Sequence, residues 1–132
     1  MNFNLASRDE KGQMYMRFQR IPFTIVDQIQ LLQRWILVQS FAYYELNENI
    51  ASDFKYDENA MQLTELIRSY PDEAARSRYY IYFYDYCGDD ETHYTSGFDL
   101  LERVRKKDKT MYKRLRMDAT NALHLKQMRG VN

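Results

Sequence analysis

Five side chains in one short stretch have the types and spacing to hold a ligand together: Tyr43, Tyr44, Asp53, Tyr56 and Asp57. Asp53, Tyr56 and Asp57 stand at i, i+3 and i+4, which places them on one side of a helix's first turns. Tyr43 and Tyr44 close the preceding apolar segment, and a short turn between the two segments brings all five near one another. Carboxylates and phenols around a helix start can grip a ribose, or stack on and hydrogen-bond a flat amide ring.

The pattern continues into Leu63-Thr64-Glu65-Leu66 and a proline at 71, and as a whole it resembles the small N-terminal helical domain, called Ia, of NAD-dependent DNA ligases. Tyr43 matches that family's tyrosine, Asp53 its first aspartate, and Tyr56 and Asp57 its tyrosine-aspartate pair. The family's histidine is replaced here by Tyr44. The resemblance spans Ile29 to Asp72, about a third of the chain. It implies a helical hairpin that closes over the nicotinamide mononucleotide (NMN) half of NAD. It does not imply a ligase, because Lys55-Tyr56-Asp57-Glu58 lacks the glycine of the family's K-x-D-G motif and 132 residues leave no room for the remaining ligase domains.

A second signal is electrostatic. The formal charge is zero, yet residues 1–100 carry 9 basic and 16 acidic side chains (net −7), and residues 101–132 carry 10 and 3 (net +7). Arg103, Arg105, Lys106, Lys107, Lys109, Lys113, Arg114 and Arg116 fall close together, and such a segment can neutralise phosphates or dock on an acidic partner. The competing expectation is that it pairs with the protein's own acidic residues 85–99. In that acidic loop Cys87, Asp89, Asp90, Glu91 and His93 are too few soft or nitrogen donors for a metal site to be assigned. Cys87 and His93 likewise have no identifiable third group to make a catalytic dyad. His124 reads as a surface residue of the last helix.

The elements that must position these groups are mainly helical. Thr24 with Asp27 reads as a capping box, and Ile25, Ile29, Leu32, Trp35, Ile36, Gln39, Tyr43 and Leu46 recur at three- and four-residue steps. Ser52 caps a second helix with Tyr56, Ala60, Leu63, Leu66 and Ile67 on its inner face, and Pro71 closes it. Residues 24–70 thus form the hairpin. Pro71 to Ala75 looks like another helix start. Tyr79 to Tyr86 is so aromatic that helix and strand are both open, and a two-stranded element from residues 13–20 and 79–86 is one outcome. Phe98, Leu100, Leu101 and Val104 suggest a short helix. Met111, Leu115, Ala119, Ala122 and Leu123 mark a last one over about 109–128, so residues 98–128 are the basic C-terminal helical segment. Residues 1–12 are expected to be a flexible arm of a single domain, 1–132.

Composition narrows the function. One cysteine excludes an internal disulfide and points to a reducing, cytoplasmic setting, the host cytoplasm if the protein is phage-encoded. No apolar run is long enough for a membrane span. A detached domain of this size fits a phage or mobile-element accessory protein. The function expected is a non-catalytic binding module acting on a protein or nucleoprotein partner, with inhibition of a host nuclease or repair enzyme as one form. The alternative is a small NAD- or NMN-binding domain using the five hairpin residues.

Overall fold

The computed structural model describes residues 23–90 and 92–129, together with the backbone of two short strands, and is mainly α. The strands, β1 (Ala6–Arg8) and β2 (Met14–Met16), pair antiparallel with Ser7 opposite Tyr15. The arm expected over 1–12 and the rest of 13–20 otherwise lie outside the described residues.

Helix α1 (Ile25–Glu45) begins as its sequence dictates. The Thr24 hydroxyl accepts from the Asp27 amide at 3.1 Å, and the Asp27 carboxylate accepts from the Thr24 amide at 3.1 Å. It ends where Leu46 leaves the helix and Asn47 takes a left-handed φ of 55°, a conformation asparagine tolerates. α2 (Asp53–Ser69) starts on Ser52, whose hydroxyl accepts from the Lys55 amide, and folds back against α1. Pro71 opens the short α3 (Pro71–Ala75) at a position where its missing amide costs nothing.

Residues 79–86 are not a strand, and β2 pairs with β1 rather than with them. They form a single turn of helix, α4 (Tyr80–Phe83), continued by turns. Tyr79, Tyr82, Phe83 and Tyr86 are buried at i, i+3, i+4 and i+7, while Tyr80, Ile81 and Tyr84 are exposed, which is a helical stripe and not the alternation of a sheet. α5 (Gly97–Lys107) is capped by Ser96 and α6 (Lys109–Met128) by Asp108.

α1 is the central helix, packed on α2, α5 and α6. Ile29, Ile36, Leu37, Val38 and Phe41 are fully buried there against Leu63, Leu100, Val104 and Leu115. Its polar residues hold the 70s segment in place. Gln33 donates to the Ser77 hydroxyl at 3.0 Å, the Arg78 amide donates to the Gln30 side chain at 2.9 Å, and Arg34 pairs with Asp118 on α6 and donates to Tyr79 at 3.1 Å. None of the described helices is long and apolar enough to cross a membrane.

Candidate functional site

The turn between α1 and α2 encloses a cavity of about 340 Å³, and Tyr43, Tyr44, Asp53, Tyr56 and Asp57 all line it. Their convergence has a simple origin. Tyr43 and Tyr44 occupy the last turn of α1, the other three the first turns of α2, and the Asn47 reversal folds one helix end beside the other helix start. The Tyr43 and Tyr44 rings meet edge to face at 4.9 Å, and Tyr44 meets Phe98 of α5 at 5.8 Å in the same manner. The Tyr56 hydroxyl lies 3.2 Å from the Ser40 hydroxyl, a hydrogen bond that ties α2 to α1 across the cavity floor.

The remaining walls were not apparent from the hairpin pattern. Gln39, Ser40, Tyr94 and Gly97 also face the cavity. Gln39 is 5 % exposed, and neither polar atom of its amide has a hydrogen-bond partner among the described residues. Its signal in the sequence is a glutamine standing in the apolar stripe of α1, where leucine or isoleucine would be ordinary. Tyr94 and Gly97 come from the acidic loop, whose ends are clamped by the Thr95 amide on the Cys87 carbonyl at 2.8 Å and the Cys87 amide on the Thr95 hydroxyl at 3.1 Å. Gly97 is buried so tightly on Ser40 that a Cβ there would lie 2.8 Å from the Ser40 Cβ and closer still to its hydroxyl. Glycine is what lets α5 begin at the cavity.

Burial raises the phenol pKa of Tyr56 far above its ordinary value, despite the opposing hydrogen bond from Ser40. Burial also raises Tyr44, with Tyr43 and Asp99 adding to it, and Tyr94, with Asp57 and Tyr44 adding. These phenols are therefore neutral donors and acceptors across the physiological range.

The acidic loop is engaged internally. Arg68 grips Asp89 through both carboxylate oxygens at 2.7 and 3.0 Å and holds its carboxyl below the usual range. Asp90 accepts from the Thr92 amide and faces His93 at 3.3 Å. Glu91 lies outside the described residues. Among the described residues no group of three His, Cys, Asp or Glu side chains is arranged to hold a metal ion. His124 is exposed on α6.

The basic segment divides in two. Arg103 is spent on Asp85, at 2.7 and 3.2 Å, and on the Tyr82 carbonyl, and Arg105 on Glu102. Arg116 lies over the Phe41 ring at 5.0 Å. Lys106, Lys107, Lys109, Lys113 and Arg114 are exposed around the α5–α6 elbow and make no ion pair with any described residue. Pairing with the acidic loop thus accounts for Arg103 but not for the elbow.

Comparison of the chain with protein-family models, curated proteins and solved structures finds no match.

Proposed function

We propose that this chain is a binding module whose hairpin cavity takes a nicotinamide nucleotide. The carrying observation is that Tyr43, Asp53, Tyr56 and Asp57, the residues by which the chain resembles the ligase Ia domain, line one cavity of about 340 Å³ together with Tyr44, which stands where that family has a histidine. That volume is within the range of small-ligand sites, and its mix of rings and a few polar groups is what such sites use to orient a flat ligand. The two carboxylates can accept from ribose hydroxyls, and the phenols can stack on the ring and donate to a carboxamide. Titration calorimetry with NAD and NMN tests this. Binding is expected at sub-millimolar concentration, weakened roughly 10- to 100-fold by Asp57→Ala, as removal of a charged hydrogen-bond acceptor implies. No heat at millimolar nucleotide refutes it.

A second reading concerns the other end of the molecule, and the free cations of the α5–α6 elbow favour it. Of these five, Lys106, Lys107, Lys109, Lys113 and Arg114, the last also helps wall a hollow of about 250 Å³ together with Arg34, Arg78 and Asp108. Such a surface suits an acidic protein or nucleoprotein partner, which would read the elbow and not the net charge. Its mark is binding to a DNA duplex or an acidic peptide that weakens steeply with salt and disappears when the five are changed to alanine. Binding by the five-alanine variant equal to that of the native protein counts against it.

A further inference from the structure

If the cavity is a ligand site, the premise on which this inference rests, its walls also state the charge of what enters. Four tyrosines, Tyr43, Tyr44, Tyr56 and Tyr94, and the carboxylates of Asp53 and Asp57 line half of it, and among the described residues no lysine, arginine or histidine does. Ring faces and carboxylates both attract positive charge, the first through the aromatic quadrupole and the second directly. Lys126 comes only to the rim, where it donates to the Asn49 carbonyl at 2.6 Å.

The features that would favour an anion are already answered within the chain. α2 and α5 both begin at the cavity, but Ser52 and Ser96 accept from the Lys55 and Asp99 amides at 3.1 Å. Asp53 and Asp99 then place a carboxylate in each first turn, against the positive end of the dipole. Independently of the rings, Gln39 borders the cavity with a buried amide that has no partner at either polar atom among the described residues. A buried amide in that condition is uncommon in a folded protein and is satisfied when a ligand arrives with a complementary group.

We infer that the cavity selects an organic cation whose charge is spread over a ring or alkyl groups, such as an N-alkylpyridinium or a methylated ammonium. A diffuse cation gives up its hydration more readily than a bare ammonium, so ring faces can replace its water. The pyridinium of an oxidised nicotinamide nucleotide is one source of this chemistry, and a methylated amine is another.

Calorimetry on the full chain with 1-methylnicotinamide, nicotinamide and tetramethylammonium separates the sources. The expected result is that 1-methylnicotinamide binds at least about tenfold more tightly than nicotinamide, which has the same ring without the charge. The Asp53→Asn, Asp57→Asn double variant, with an unchanged thermal melt, should lose most of that preference. Tetramethylammonium binding without 1-methylnicotinamide binding upholds the cation inference and overturns the nicotinamide reading. Equal affinity for nicotinamide and its methylated form overturns the cation inference and leaves the nicotinamide reading standing. A preference that survives the double variant overturns the assignment to these walls, and no heat from any ligand at millimolar concentration overturns both.

Discussion

Gly97 offers the sharpest test of how the cavity is built, because two physical effects predict opposite signs for Gly97→Ala. As the first residue of α5, alanine should stabilise by up to about 1 kcal/mol, since glycine carries the larger backbone-entropy cost in a helix. Against that, the new Cβ would sit 2.8 Å from the Ser40 Cβ and 3.1 Å from the Tyr56 hydroxyl. Ser40 is 1 % exposed inside the central helix and cannot step aside. Overpacking of this kind costs about 1–3 kcal/mol. The clash wins, and a net loss of about 1–2 kcal/mol, or roughly 3–8 °C in Tm, is expected with an unchanged urea m-value. The cycle with Ser40→Gly isolates the cause. Ser40→Gly alone costs about 1–2 kcal/mol, as a mid-helix glycine and through the lost hydrogen bond to the Tyr56 hydroxyl, yet in the Gly97→Ala background it should recover about 1–2 kcal/mol of coupling. A Gly97→Ala protein that melts higher than the parent, or strictly additive losses, would refute this account of how α5 meets α1.

Three further outcomes are expected. Thr64→Val should cost about 1–3 kcal/mol by urea unfolding, because the Thr64 hydroxyl accepts from the buried Gly88 amide at 2.8 Å and valine strands that amide; a loss under about 0.5 kcal/mol would show the amide finds another partner. Tyr86→Phe should be neutral or stabilising by about 1 kcal/mol, since the Tyr86 hydroxyl is buried without a partner, and a clear loss would mean the hydroxyl is bonded. Burial raises the phenol pKa values of Tyr86 and Tyr56 in the folded state, so their stabilisation is complete below the unfolded value, about 10, and is lost as pH rises beyond it. Thermal melts should accordingly fall by about 1.4 kcal/mol per pH unit for each such phenol above pH ~10, with a shallower slope in Tyr86→Phe; a flat profile to pH 11 would refute the shift.

What could be read from the sequence was what is decided locally. The caps at Thr24 and Ser52 and the last helix depend on residues within one or two turns of each other, and all stand where their chemistry puts them. The 79–86 stretch failed for a specific reason. Its buried set, Tyr79, Tyr82, Phe83 and Tyr86, has helical spacing, but of the intervening positions Tyr80, Ile81 and Tyr84 are aromatic or apolar too, and Asp85 alone is too little to mark the period. Within the candidate site, the hairpin residues were legible because two adjacent elements carry them. Gln39 stands one turn before Tyr43 on α1 and is marked by its polarity in an apolar stripe. Tyr94 and Gly97, by contrast, reach the cavity only through the packing of their loop and α5 on α1, and no spacing rule connects them to the hairpin.

The same helix explains how a chain of zero net charge presents two charged places. Inside the fold the two halves meet in ion pairs, Arg103 with Asp85 and Arg34 with Asp118, while Arg68 takes Asp89 within the first half. α5 begins at Gly97 beside the carboxylates of the cavity and ends at Lys107 in the basic elbow, a span of about 16 Å at the helical rise. The anionic cavity and the cationic elbow are therefore opposite ends of one rigid element seated on Ser40. A change that tilts that seat reaches both ends, whereas neutralising Lys106, Lys107, Lys109, Lys113 and Arg114 reaches only one. Gly97→Ala should accordingly weaken ligand binding and partner binding together, and the five-alanine variant should leave ligand binding at its parental value. Loss of ligand binding in the five-alanine variant would show that the elbow's charges act on the cavity directly and not through the seating of α5.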